Sequence, residues 1–241
     1  SRSLKGFLRD LPILLLGFKS RKIIVHIHGS EFTEMFEWRF YSKLVKLLYS
    51  NCDVIVPNYY LYLKLDKKMF KSLSLIENFS KLEIEKKPKF AKKNNFRILW
   101  NSNIMASKGF IEVFEAYKKI STQFSDLEFI VTGKCISDYE KSNKYMKIYL
   151  NKNKATKNFK YMGLVNRTTM SELLSSTDLV LLPSTYKTEC QPLALIEAMY
   201  YGITIITTRI EPIKFTLGNY PAYFVKREIN DIFKKMLFCY Q

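Results

Sequence analysis

Glu189 and Glu197 stand eight positions apart where an apolar strand pattern gives way to a helical one and then returns. Asp178 to Leu182 is a short apolar run, Pro192 suits the first turn of a helix, and Ile203 to Ile206 is β-branched, so the stretch reads as strand, loop, helix, strand. Between Leu193 and Met199 every residue except Glu197 is apolar. This predicts a helix buried nearly all round that carries one carboxylate inward. An unpaired buried charge costs several kcal/mol, so Glu197 needs a partner. The N-terminus of such a helix turns backbone N–H groups toward the crevice beyond the C-terminal ends of the strands, where phosphates settle in open α/β sheets. With Glu189 just ahead of it, the two acids bracket a candidate anion site.

The elements that must position these acids repeat the same alternation. Strands are expected at 22–28, 52–57, 73–76, 96–100, 128–132 and 160–163, with helices near 4–18, from about 31, 108–120, 137–151 and 170–175. This is an α/β chain. His28 falls at a strand's C-terminal end, on the ligand side of a parallel sheet, whereas His26 is expected to lie deeper, as a core residue. Lys81, Lys86, Lys87, Lys89, Lys92 and Lys93, with Pro88 and no sustained apolar period, mark 81–95 as a basic linker between a domain at 1–80 and one at 96–241. Lys141, Lys144 and Lys147 recur at helical spacing as an exposed basic face. The 4–18 stretch is apolar and basic in turn, and its run Leu11 to Phe18 is too short to cross a bilayer, which takes about 20 residues. It fits either an amphipathic helix packed on the sheet or a membrane-surface helix rimmed by Arg2, Lys5, Arg9, Lys19, Arg21 and Lys22.

Glu189, seven residues, then Glu197-Ala198-Met199, with Pro183-Ser184 upstream and Gly202 downstream, resembles the donor-site motif of family 4 glycosyltransferases, retaining enzymes of the GT-B fold. The resemblance implies two Rossmann-like domains facing a cleft. It places Glu189 beside the donor hexose and Glu197 on the nucleotide ribose, whose hydroxyls would be its missing partner. The backbone after the first acid, Gln191 to Leu193, would hold the diphosphate, and His28 would lie close to the sugar. Leu164 and Val165, after Lys160-Tyr161-Met162-Gly163, would border the nucleobase. Where the family usually carries Gly-Arg-Leu, three residues, then Lys-Gly, this chain has Ser102-Asn103-Ile104, three residues, then Lys108-Gly109. Asn103 can donate a hydrogen bond but brings no charge, which leaves Lys108 as the main side-chain cation at the diphosphate. Gly133-Lys134 offers a further close backbone approach and a second cation. The segment from Lys22 to Phe32 resembles one that several βα units normally precede, so the resemblance implies an N-terminal domain incomplete at its front.

The composition points to an anionic partner, which membrane lipid, nucleic acid and a phosphorylated substrate all satisfy, and charge alone does not choose among them. The chain has 241 residues, a net charge of +17 and a pI near 9.6, which calls for an anionic partner. Four dispersed cysteines and two histidines suggest neither a disulfide framework nor a zinc site, and a reducing cytoplasm is the simplest setting. No Asp-x-Asp is present, so diphosphate neutralisation is expected from Lys108, the helix N-terminus and Lys134 without a metal or other cofactor. The expected co-substrate is a UDP- or GDP-linked sugar. The expected acceptor is lipid-linked or glycan, met by a protein peripheral on the anionic inner face of the cell membrane during envelope polysaccharide assembly. With no nucleic-acid-binding signature, nucleic acid is not an expected partner. A nucleotide-sugar epimerase of the same fold shares the nucleotide site but not the spacing of Glu189 and Glu197, and an inactive nucleotide- or membrane-binding remnant is the third reading.

Overall fold

The computed structural model describes residues 4–17, 22–37, 42–80 and 95–241. The basic linker up to residue 94, and Arg2, Lys19 and Arg21 of the expected basic rim, lie outside the described residues. In chain order the first elements are α1 (Leu4–Gly17), β1 (Ile23–His26), α2 (Ser42–Tyr49), β2 (Cys52–Val56), α3 (Tyr59–Lys64) and β3 (Ser72–Leu75). Then come β4 (Phe96–Asn101), α4 (Phe110–Ser121), β5 (Leu127–Thr132), α5 (Asn143–Lys152), β6 (Phe159–Gly163), α6 (Arg167–Ser175) and β7 (Leu179–Leu182). The chain ends with α7 (Leu193–Tyr200), β8 (Thr204–Thr207), α8 (Glu211–Leu217), β9 (Ala222–Phe224) and α9 (Ile229–Tyr240). They form two compact units. The first comprises residues 1–79 with 187–192 and 211–216, and the second the remainder.

In the first unit β1, β2 and β3 pair in parallel in that order. Its core joins Phe7 and Leu14 of α1 to Val45, Leu48, Tyr49, Cys52, Val54 and Val56. The helix expected from about residue 31 is a 3-10 helix over Ser30–Glu37, with Phe32, Thr33, Met35 and Phe36 buried. His26 corrects the expectation: it is exposed, as are Ile24 and His28. Edge strand β1 alternates half-buried and exposed positions, and His26 shares the open side of the pleat with Ile24. α1 buries Phe7 and Leu14 but leaves Leu8, Ile13, Leu15 and Leu16 exposed. No helix among the described residues is long and apolar enough to cross a membrane.

The second unit holds a six-stranded, fully parallel sheet in the order β6-β5-β4-β7-β8-β9. Counted from β4, this is the doubly wound order 3-2-1-4-5-6, which reverses between β4 and β7 and opens its ligand crevice there, at the strands' C-terminal ends. All four residues of β7 are buried, as a strand covered on both faces requires. α4 buries Phe110, Val113, Phe114 and Tyr117 on the sheet and packs along α9. α5 starts six residues later than the sequence pattern suggested, at Asn143, because Ser142 caps it and Asp138 captures the amides ahead of it. Lys141, Lys144 and Lys147 are exposed, as expected of a solvated face.

Candidate functional site

Parallel pairing brings the ends of β4, β5, β6 and β7 to one edge of the second unit, and Asn103, Lys108, Gly133, Lys134, Leu164 and Val165 follow the first three of those ends. Glu197, in the second turn of α7, has protein partners: Asn101 Nδ2 donates to Oε2 at 2.9 Å and Ser80 Oγ to Oε1 at 3.3 Å. This corrects the view of Glu197 as lacking a partner within the protein. Asn101 is the last residue of β4, the strand beside the reversal of order, so the pair marks the crevice itself. Burial still raises the Glu197 carboxyl above the ordinary glutamate range, against the lowering effect of the Asn101 and Ser80 hydrogen bonds. The Asn101 Oδ1 atom is buried with no hydrogen-bond partner.

α7 is not buried all round. Ala194, Leu195 and Ala198 face the sheet, while Leu193 and Tyr200 are about half exposed. A helix lying on two strands covers one stripe and leaves its end residues open, whatever their polarity.

Lys108 ends a short 3-10 turn at 106–108, and its Nζ lies 3.2 Å from Ser102 Oγ and 5.9 Å from the centre of the Tyr186 ring. The turn closes on Gly109 at φ +82°, where a Cβ would meet Pro183 Cγ and its carbonyl oxygen at 2.7 Å. Lys108 therefore points back at the end of β4, and Asn103 lies on the same segment between them. Gly133 has a different part from the one expected of it. Its N–H donates to the Gly163 carbonyl at 2.7 Å, and a Cβ would come within 2.2 Å of the Ser102 oxygen. The close approach it permits joins the segments after β4 and β5, and its amide is committed to protein. Lys134 is exposed, and its carbonyl accepts from Ile104 N–H. Leu164 is exposed and Val165 half-buried after β6.

His28, Glu189, Gln191 and Pro192 belong to the first unit. Glu189 is buried, on a segment tied down at several points. Ser30 Oγ donates to the Lys187 carbonyl at 2.7 Å, and Asn58 Nδ2 to the Cys190 carbonyl at 2.9 Å. Gln191 accepts from Asn78 N–H at 2.6 Å and donates to Glu77 Oε1 at 3.2 Å, so its side chain braces the Glu77-Asn78 turn. Pro192 is buried directly ahead of α7. Among the described residues no group of three His, Cys, Asp or Glu side chains could hold a metal ion. A cavity of about 420 Å³ lined by Glu112, Lys119, Arg227, Glu228, Ile229 and Asn230 contains none of the site residues.

Asn101 and Ser80 went unnoticed in the sequence, although a single Asn closing the apolar run Phe96 to Trp100 was a readable signal for the first.

The second unit is a parallel, doubly wound α/β unit with a paired carboxylate and a lysine turn at its switch point. The chain belongs to the glycosyl transferases group 1 family, whose profile matches residues 81–237. No curated protein matches the chain. Among solved structures, HepE of Anabaena in complex with UDP and glucose aligns at a TM-score of 0.69 and 15% identity, over 96% of this chain and 65% of that one. Sucrose-phosphate synthase of Thermosynechococcus elongatus gives 0.68 and 15%, over 96% and 62%. A mutant of S. aureus TarM with fondaparinux, α-GlcNAc-glycerol and UDP gives 0.64 and 19%, over 97% and 46%. The likeness is one of fold, the GT-B α/β class, and the chain spans less than two thirds of the length of each of these three.

Proposed function

We propose that the protein is a retaining, metal-independent hexosyltransferase that moves a sugar from a UDP- or GDP-linked donor to a lipid-linked or polysaccharide acceptor of the cell envelope. The observation that carries this is the Glu197–Asn101 pair at the switch point of the second unit, one segment away from the Lys108 turn. A half-buried carboxylate with hydroxyl-accepting capacity, on the crevice that the Lys108 turn also borders, suits a ribose followed by a diphosphate. UDP in the HepE and TarM structures and α-GlcNAc-glycerol with TarM support a nucleotide donor and a glycan acceptor for this chain as well. In the reaction the anomeric C–O bond breaks with its electron pair leaving on the diphosphate, and the acceptor oxygen bonds to the anomeric carbon as the sugar passes through an oxocarbenium-like state, the acceptor's hydroxyl proton passing to the departing diphosphate oxygen. Lys108 and the α7 N-terminus stabilise the departing charge, and Glu189 steadies the hexose. The +17 charge, together with the exposed Leu8, Ile13, Leu15 and Leu16 of α1, favours a protein peripheral on an anionic membrane.

The test is transfer from a panel of UDP- and GDP-hexoses to a lipid-extract acceptor, with the anomeric configuration of the product read by NMR. Retention of the donor's configuration and rates unchanged by EDTA are expected. Inversion, or loss of activity on chelation, would overturn the corresponding part of the proposal, and epimerised free sugar without transfer would favour the epimerase.

A further inference from the structure

Three consecutive residues of the loop after β5 each grip a different part of the framework around Lys108. Asp138 Oδ2 accepts both the Ser107 amide at 2.8 Å and the Ser107 hydroxyl at 2.7 Å, while Oδ1 accepts the Glu140 and Lys141 amides at 2.9 and 2.8 Å. Tyr139 Oη donates to the Thr185 carbonyl at 3.0 Å. Glu140 takes a bidentate pair from Arg227, whose guanidinium also reaches the Ala106 carbonyl at 3.3 Å. On the other side, the Thr185 amide donates to the Ser107 carbonyl at 2.8 Å. Ser107 is fully buried, with its N–H, hydroxyl and carbonyl all engaged, and it immediately precedes Lys108.

An Asx turn at 138–141 needs only Oδ1. The second oxygen serves a residue 31 positions away, and nothing in the local turn requires that. A carboxylate close to a phosphate-binding cation would by itself oppose an anionic ligand. Here four donors meet its charge, and they hold the Asp138 carboxyl below the usual range although burial acts to raise it.

We propose that Asp138 is a positioning residue for Lys108: by locking Ser107 it fixes the turn that presents the lysine ammonium to the donor diphosphate. This rests on the diphosphate reading of Lys108 given above. It assigns to Asp138 a part in donor affinity and none in contact with the donor.

The experiment is a double-mutant cycle on the full chain, Asp138→Asn with Lys108→Ala, titrated with UDP and GDP and with the corresponding nucleosides. Asn is isosteric, but its NH₂ must face one of the two donor pairs, so it should not rescue the site. Asp138→Asn should weaken the bound diphosphate about tenfold, equivalent to roughly 1.4 kcal/mol, leave nucleoside affinity unchanged, and add nothing in the Lys108→Ala background. Wild-type diphosphate affinity, equal losses for diphosphate and nucleoside, or an undiminished loss without Lys108 would each overturn the inference. If Asp138→Asn does not fold, Ser107→Ala, which removes only the hydroxyl bond, decides by the same criteria with a loss of about threefold. Should Lys108→Ala lose no diphosphate selectivity, the diphosphate reading falls and this inference with it. A selective loss in Lys108→Ala with none in Asp138→Asn or Ser107→Ala overturns the inference alone.

Discussion

Glu197→Gln offers a prediction in which binding is lost while stability is kept or gained, and Glu197→Ala one in which both are lost. Glu197→Ala removes the acceptor of the Asn101 amide, whose Oδ1 is already buried without a partner, so the whole Asn101 side chain would be left unsatisfied. Orphaning a buried donor costs about 1 to 3 kcal/mol, which sets the expected destabilisation of Glu197→Ala at neutral pH. Glu197→Gln keeps an acceptor for Asn101 Nδ2 and removes a charge that burial disfavours. It should therefore equal or exceed wild type in stability at pH 7. The pH dependence follows from the raised folded-state value: stability from this carboxyl is fully present below its unfolded pKa and is lost as pH rises through the folded one. The advantage of Gln over wild type should accordingly be present at neutral pH and vanish in acid, below the unfolded value of about 4.3. Urea denaturation of wild type, Gln and Ala at several pH values measures this directly. A Gln variant clearly less stable than wild type at pH 7, or a difference that does not shrink on acidification, would refute the reasoning. In binding, the proposed ribose contact of the Glu197 carboxylate predicts that both variants lose nucleotide affinity, because each changes the oxygens that would accept from the hydroxyl.

Three further perturbations separate the parts of the account. Glu189→Gln should abolish transfer while nucleotide affinity stays near wild type; a mutant with most of the wild-type turnover would remove Glu189 from the chemistry. Gly133→Ala places a Cβ 2.2 Å from the Ser102 oxygen at φ +103°, where only backbone could give way, so a loss of at least about 2 kcal/mol in urea unfolding is expected, and a near-neutral result would contradict the close approach. The first 90 residues hold 17 Lys and Arg against 9 acids, so the protein should sediment with anionic vesicles at low salt, release near 0.5 M salt where the Debye length falls below about 5 Å, and ignore neutral vesicles; equal competition by duplex DNA would reduce this to a generic polycation effect.

The βαβ stretch around Glu197 was legible because strand and helix periods alternate cleanly there and Pro192 punctuates them. Five of the six strands of the second unit were legible for the same reason, to within a residue or two, whereas the three-residue strand β9 was not. Long-range polar pairing was not. Asn101 and Glu197 are 96 positions apart, and Arg227 and Glu140 are 87, and no periodicity links residues brought together only by strand order. Ser137 to Ser142 looked helical because its residues tolerate a helix, yet one aspartate with four donors outweighed that propensity locally. His26 was misplaced because a deeper position along the strand was taken to bury it, whereas it shares the open side of β1 with Ile24. Gly133 was read as an opening for a ligand when its missing side chain makes room for Ser102.

The most direct test of the central claim, that the second unit is built around a nucleoside diphosphate, is calorimetric titration of the chain with UDP and GDP. One of them should bind, and at 100 times its dissociation constant it should add about 2.7 kcal/mol to the stability of the protein, with the affinity reduced in Glu197→Ala and in Lys108→Ala. No heat and no gain in stability from either nucleotide at millimolar concentration, or binding indifferent to both substitutions, would contradict it.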